Sequence, residues 1–271
     1  MKKFIKNNKI FLLTLLILII WALYAIISTY MAKVNGRLAY ESNDAILIFF
    51  SINMQYFWVL QILFPLFVIV PSVWNFNQKM NSGFVKNCLM RQNYKKTMIS
   101  YYKDALKSVL IFPIFFAFLF ILCCILANGI KFGSSIELYE RLATTLSDYA
   151  GEWQAFTITY FLNIFLYGIF YVNLSLICCR KKANKAISIV LSFITYISLE
   201  LFINLFCGLF FSRLLNIHNT INLFSLTGVV MYDDVKLCHT IIYAISLVII
   251  SSIILYNTYK NEEKVLIEYE K

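Results

Sequence analysis

The sequence predicts an all-α integral membrane protein with six transmembrane helices and both termini in the cytoplasm. Three observations predict it. Of the 271 residues, 61% are hydrophobic and 14% are charged, whereas soluble domains carry roughly 25% charged residues. Several apolar runs reach about 20 residues, the length at which a helix crosses a bilayer. Basic residues are concentrated in alternate loops, and this asymmetry orients the helices.

The apolar runs place the six predicted spans at residues 10–30, 51–73, 105–127, 153–177, 186–211 and 240–256. Each span is expected to be helical because lipid offers the backbone no hydrogen-bond partner. The first run follows a basic N-terminus but exceeds the roughly 7–15 residues of a signal-peptide core. We therefore interpret it as an uncleaved membrane anchor. No remaining stretch is large enough for a separate soluble core, so residues 1–271 are expected to form one transmembrane domain.

The distribution of Lys and Arg gives the predicted orientation. The N-terminus, the second and fourth loops and the C-terminal tail together hold 18 of the 24 basic residues. Short loops rich in Lys and Arg stay in the cytoplasm. This side is therefore predicted to be cytoplasmic, and most loop acids fall on the outer side. The long second loop, residues 74–104, would then be cytoplasmic.

A net charge of +10 is also typical of proteins that bind nucleic acid. The basic residues lie only between the apolar runs, which membrane topology explains, so we expect no nucleic-acid partner. The cysteines show no CxxC spacing, and neither histidine belongs to a metal-ligand pattern. We therefore expect no metal site.

The second loop contains "GFVKNCLMRQNYKKTMISYYK", which is basic and lacks any acidic residue. Phe84, Val85, Cys88 and Leu89 fall on one face at helical spacing. A short amphipathic basic helix is thus predicted between the second and third spans. Such a helix is able to lie on anionic lipid headgroups, or to place its apolar stripe in a groove of a partner protein. The pattern alone leaves both alternatives open.

This loop resembles the first cytoplasmic loop of type-2 ABC transporter permeases, the membrane subunits of one class of ABC exporters. The family pattern Gly-Phe-Ile-Lys-Asn is matched at residues 83–87, with Val85 in place of Ile; Arg91 and Lys103 match later basic positions. Many members carry an acid before the glycine, whereas this chain has Lys79 nearby and no acid. The resemblance implies that one set of residues contacts a separate ATPase: Gly83, Phe84, Lys86, Asn87, Leu89 and Arg91.

The P-loop pattern GxxxxGK[ST] is absent from the chain. We therefore expect a permease that is not itself an enzyme, binds no cofactor directly and works with ATP and Mg²⁺ on a partner. The resemblance implies two ATPase copies and a second permease, identical or homologous. It also implies a hydrophobic or amphipathic substrate and membrane-lipid contacts. Related permeases in Gram-positive plasma membranes often export antimicrobial peptides or confer immunity to them.

The fifth span carries polar residues at every fourth position, which keeps them on one helix face. These are Ser188, Ser192, Tyr196, Glu200 and Asn204. A carboxyl near the middle of a span is costly in lipid, by about 2.5–3.5 kcal/mol on insertion scales. The fourth span has a comparable face, which includes Tyr160, Asn163, Tyr167 and Tyr171. We expect the two faces to line a translocation path or a permease interface, or to form structural hydrogen bonds.

Two other classes of function compete with the transporter. A non-transporting membrane scaffold or sensor is the first alternative, although the small loops leave little room for a sensing domain. An intramembrane enzyme is the weaker alternative. The chain has no GxSG or HExxH motif, and Glu200 alone is not a catalytic pair.

Overall fold

The computed structural model describes residues 9–35, 58–81, 93–127, 153–181, 184–206 and 237–261, together with four isolated residues between 45 and 52. Within these ranges the chain is almost entirely helical and has no β-strand. The prediction of an all-α protein is confirmed to this extent.

Seven α-helices and one 3₁₀ turn occupy the described residues. In chain order they are α1 Lys9–Val34, α2 Trp58–Asn81, α3 Tyr94–Leu106, the 3₁₀ turn Lys107–Leu110, α4 Ile111–Leu126, α5 Trp153–Lys181, α6 Lys185–Phe206 and α7 Leu237–Tyr259.

Among the described residues, five helical segments are long and apolar enough to cross a membrane: Lys9–Val34, Tyr94–Leu126, Tyr160–Arg180, Lys185–Phe202 and Ile241–Tyr259. Such helices are compatible with a membrane protein. Helix α2 is not one of these five segments. The count of six spans, the location of the termini and the coupling helix remain predictions.

The helical segment Tyr94–Leu126 is much longer than a bilayer requires. Its 33 residues extend about 50 Å, against about 30 Å of hydrocarbon. Helix α3 lies beside the second half of α5, since Val109, just after α3, meets Gly168, and Tyr102 bonds to Asn173. Its Lys95, Lys96 and Lys103 are exposed. The backbone stays helical upstream of the predicted boundary at residue 105 because Asn93 caps α3: its Oδ1 accepts from the Lys95 N–H at 3.2 Å.

Helix α5 is the central helix of the bundle. It packs against α2, α3, α4, α6 and α7. All seven residues from 170 to 176 are buried, so this stretch is surrounded on every side. By contrast, α7 packs along α5 and exposes a row of isoleucines that includes Ile249, Ile253 and Ile254. This exposed row suits contact with lipid.

Aromatic side chains hold the α2–α4–α5 part of the core together. Phe64 of α2 meets Phe112 of α4 edge to face, with ring centroids 5.1 Å apart. Phe116 of α4 meets Tyr160 of α5 in the same way at 5.8 Å. Edge-to-face pairs of this kind contribute roughly 0.5–1.5 kcal/mol beyond area burial. The four rings therefore fix the lateral position of three helices.

Helix α5 approaches the 3₁₀ turn closely at Gly168. A Cβ added there would lie 2.7 Å from Cγ1 of Val109. A β-branched side chain is stiff about its first torsion, so Val109 cannot easily turn away. The glycine thus permits the close approach of α5 to the turn that precedes α4.

We predict that Gly168→Ala lowers the free energy of unfolding by about 1–3 kcal/mol, because the added methyl group overpacks the contact with Val109. Unfolding in mixed detergent micelles measures this. Adding Val109→Ala should recover part of the loss, since it removes the clashing methyl group. Equal stability of Gly168→Ala and wild type would show that the helices approach differently.

Candidate functional site

The predicted polar face of α6 lies inside the bundle. Ser188, Ser192, Tyr196 and Glu200 are all buried, each with 0% exposure. The Ser192 hydroxyl donates to the Ser188 carbonyl at 2.6 Å, so this serine is satisfied within its own helix. The opposite face of α6 exposes apolar residues such as Ile194. The four-residue spacing therefore separates a buried polar face from an apolar face suited to lipid.

The predicted polar face of α5 is also buried and meets the face of α6. Tyr160, Asn163, Tyr167 and Tyr171 are each no more than 2% exposed. The Tyr171 and Tyr196 rings are in contact, with centroids 5.3 Å apart and planes at 88°. Tyr167 stacks obliquely on Tyr171 at 6.3 Å. The two faces are thus brought together by a pair of phenol rings.

These groups lie at different depths along the helices. Tyr171 precedes Lys181, the end of α5, by 10 residues, or about 15 Å at 1.5 Å per residue. Glu200 follows Lys185, the start of α6, by 15 residues, or about 22 Å. The phenol pair therefore lies near the middle of the span, and the carboxyl lies farther from the basic ends of α5 and α6. Asn204 belongs to α6, but its side chain lies outside the described residues.

The buried face has the chemistry of a polar path through an apolar bundle. A carboxyl in such surroundings is stable only if it is hydrogen-bonded, protonated or hydrated. Phenol hydroxyls and the Asn163 amide are able both to donate and to accept. A face of this kind could solvate the polar part of an amphipathic molecule, and it could equally hold helices together.

A second polar cluster, absent from the sequence predictions, lies toward the basic ends of the helices. The Asn173 Oδ1 of α5 accepts from the Tyr102 hydroxyl of α3 at 2.9 Å. Its Nδ2 donates to the hydroxyl oxygens of Ser251 and Ser252 of α7, each at 3.0 Å. We call Tyr102, Asn173, Ser251 and Ser252 the Asn173 junction. One buried amide thereby joins three helices.

Further hydrogen bonds tie the same helices closer to their ends. The Tyr94 hydroxyl of α3 donates to the Tyr259 carbonyl of α7 at 2.8 Å. The Tyr259 hydroxyl donates to the Leu176 carbonyl of α5 at 2.7 Å. Arg180 of α5 donates to the Thr258 carbonyl of α7. The C-terminal end of α7 is thus anchored to both α3 and α5.

Lys79 is part of the connection between α2 and α3. It forms an ion pair with Asp104, which also binds Lys107 at 2.5 Å. The Lys79 ammonium lies over the Tyr101 ring, 5.2 Å from its centroid. The basic residue that departs from the permease pattern therefore has an acidic partner on the next helix.

The predicted coupling residues Gly83, Phe84, Lys86, Asn87, Leu89 and Arg91 lie outside the described residues. The helices on either side of them are described. Helix α3 is amphipathic: Tyr94, Thr97, Tyr101 and Ala105 are buried, while its lysines face outward. The chain leaves α2 two residues after Lys79, which pairs with Asp104 near the C-terminal end of α3. The described structure resumes at Asn93, the cap at the N-terminal end of α3.

The sequence analysis missed Asn173 because it singled out polar residues by four-residue spacing. Asn173 is a lone amide between apolar neighbours, and its partners come from α3 and α7. A signal was present: an amide in the fourth apolar run and a Ser251–Ser252 pair in the last. Such groups in a membrane span require partners.

Comparisons of the chain with protein-family models, with curated proteins and with solved structures return no match. The functional argument therefore rests on the residues and their geometry.

We predict that Asn173→Leu destabilises the protein by about 1–3 kcal/mol, because it breaks three interhelical hydrogen bonds and removes the amide partner of the half-buried Tyr102 and Ser252 hydroxyls. A double-mutant cycle with Tyr102→Phe isolates one of these bonds. Its coupling energy should be about 0.5–1.5 kcal/mol in detergent unfolding. If the two substitutions lower the free energy of unfolding additively, the hydrogen bond between Tyr102 and Asn173 is excluded.

Proposed function

We propose that this chain is the membrane-spanning permease subunit of an ATP-driven ABC exporter. A separate ATPase, in two copies, would bind its cytoplasmic side, with ATP and Mg²⁺ held on that partner. A second permease, identical or homologous, would complete the translocation path. The carrying observation is the permease-like sequence at residues 83–103, which follows α2 and ends within the basic helix α3.

The exposed charges of α3 support this proposal. Lys95, Lys96 and Lys103 are exposed on α3, a few residues after the permease-like residues 83–91. They would attract and orient an acidic surface of a partner.

The polar contacts at the basic end supply a route for coupling. The Lys79–Asp104 pair and the Asn173 junction link α2, α3, α5 and α7. A force applied to the loop would therefore reach α5, which also carries the tyrosine face opposite Glu200. In this proposal the ATPase cycle changes the packing of α5 against α6 and so opens or closes the polar path.

The buried faces of α5 and α6 support a hydrophobic or amphipathic substrate, such as a peptide, an antibiotic or a lipid-like molecule. Most of the surroundings are apolar, with a few hydroxyl groups, one amide and one carboxyl. Export of an antimicrobial peptide, or immunity to one, in a Gram-positive plasma membrane fits this chemistry.

Co-purification with an ABC ATPase encoded beside this chain tests the proposal. Wild type should retain the ATPase in detergent, and Phe84→Asp with Lys86→Glu should reduce recovery by roughly tenfold, since it removes an apolar anchor and reverses a charge. The variant Asn8→Asp with Lys9→Glu changes the net charge equally at the N-terminus and should bind as wild type. Failure of wild type to retain the ATPase in both detergent and native membranes would contradict the proposal.

We further predict that Glu200→Gln lowers substrate transport by roughly tenfold while the complex still assembles, because the amide keeps the size of the side chain but cannot ionise. Transport into inverted vesicles and co-purification measure the two properties separately. The control Phe202→Leu, on the exposed face of α6, should transport normally. Unchanged transport by Glu200→Gln would show that this carboxyl has no role in the translocation path.

A further inference from the structure

A groove of about 290 Å³ opens at the basic end between α2, α3, α5 and α7. Its floor is formed by Phe76, Met98, Leu176 and Leu255, and Ser252 and Lys260 supply polar groups. None of the described residues of the polar faces of α5 and α6 lines the groove, whereas Phe76, Met98 and Tyr102 come from the predicted cytoplasmic loop, residues 74–104. The groove is thus separate from those polar faces.

The groove crosses the expected boundary between hydrocarbon and headgroups. Along α7 its lining extends from Ser252 to Lys260, eight residues or about 12 Å. Leu255 lies at its apolar inner part, and Lys260 directly follows the last residue of the helix. Ile253 and Tyr256, beside the groove, are 56% and 66% exposed. The groove is therefore continuous with the apolar surface that α7 presents to lipid.

The mouth of the groove is cationic. Lys260 lines it, and Lys95 is exposed on the same face of α3 as Ile99, one turn away. Only two described residues are acidic: Asp104, which binds Lys79 and Lys107, and the buried Glu200. Within the described part of the chain, the charges of Lys95 and Lys260 are thus not neutralised by a carboxylate.

The inner end of the groove is closed by the Asn173 junction. Ser252 accepts a hydrogen bond from the Asn173 amide at 3.0 Å, and the Tyr102 hydroxyl donates to the same side chain. Ser252 lies eight residues, or about 12 Å, from Lys260 along the chain, so the apolar part of the groove separates these polar groups from the lysines.

We propose that this groove binds one anionic phospholipid of the cytoplasmic leaflet. An acyl chain occupies the apolar floor and points toward Ser252 at the inner end, and Lys95 and Lys260 pair with the phosphate. Basic pockets between membrane helices on the cytoplasmic side recognise anionic headgroups in this way. The inference does not depend on transport; it requires only that the basic end faces the cytoplasmic leaflet.

The bound lipid would also act on the helix contacts. Tyr102, Leu176 and Tyr259 line the groove and take part in the hydrogen bonds that join α3, α5 and α7. A lipid in the groove would exclude water from these bonds and hold α3 against α7. Anionic lipid should therefore stabilise the basic end of the bundle.

Photocrosslinking of the full-length chain in phosphatidylcholine nanodiscs tests the proposal. The probe is phosphatidylglycerol with a diazirine in one acyl chain, and phosphatidylcholine with the same chain is the headgroup control. Mass spectrometry should locate phosphatidylglycerol adducts around Met98 and Leu255. The zwitterionic probe should label these positions at least severalfold less.

Charge and shape are tested separately. Lys95→Gln with Lys260→Gln should reduce labelling by phosphatidylglycerol roughly 10- to 30-fold, since each surface cation strengthens binding about fivefold. The matched control, Lys9→Gln with Lys96→Gln, removes the same charge and should retain labelling. Met98→Trp fills the groove without altering charge and should also abolish the adducts.

Three outcomes would overturn the proposal. Equal labelling by the two probes would mean that no anionic headgroup is recognised. Equal labelling of wild type and Lys95→Gln with Lys260→Gln would exclude the two lysines. Labelling that occurs only after the chain is truncated behind Asn261 would show that the C-terminal tail, residues 262–271, occupies the groove in the intact protein.

Discussion

The amide of Asn173 is the interaction on which the basic end of the bundle depends. In hydrocarbon, a buried polar group that lacks a hydrogen bond costs far more than in water, because no solvent replaces the missing partner. Asn173 is fully buried on α5 and is satisfied only by hydroxyl groups of α3 and α7. Asn173 therefore ties both helices to α5 at one level, and the Tyr259–Leu176 and Arg180–Thr258 hydrogen bonds tie α7 to α5 nearer its end.

The molecule has two unlike ends. Away from the basic end, phenylalanine and tyrosine rings pack α2, α4 and α5 by shape. Toward the basic end, hydrogen bonds and the Lys79–Asp104 pair fix α2, α3, α5 and α7. Between them, Tyr171 meets Tyr196 at mid-span. A protein that transmits motion from a cytoplasmic partner to a polar path would need such a rigid end, coupled to a core whose packing is less directional.

The apolar runs were enough to predict that the described chain is helical, and they placed most helices within a few residues of their observed positions. The end of α2 and the start of α3 could not be predicted, because the spans were drawn where apolar residues begin and end. Helix α2 reaches Asn81 through "NFNQKMN", and α3 starts at Tyr94 after the Asn93 cap. Polar residues inside a helix cost little where neighbouring helices provide hydrogen-bond partners. Which helices are neighbours depends on the tertiary structure, which a single segment of sequence does not show.

The candidate site shows the same limit. Four-residue spacing correctly indicated which faces of α5 and α6 carry buried polar groups, since the periodicity of one helix can be seen in one continuous stretch of sequence. It could not identify the Asn173 junction, whose partners are about 70 to 80 residues away along the chain and come from helices that are otherwise apolar or basic. The roles of residues 83–91 rest on resemblance, because they lie outside the described part of the structure.

The proposed ATPase contact and the proposed lipid site both require the basic end to face the cytoplasm. The most direct measurement is labelling of single introduced cysteines with a membrane-impermeant maleimide, relative to the parent chain, before and after cells are permeabilised. The account predicts that Lys95→Cys on α3 reacts only after permeabilisation, while Glu137→Cys in the predicted outer loop reacts in intact cells. Rapid reaction of Lys95→Cys in intact cells would contradict the orientation, and with it both proposals.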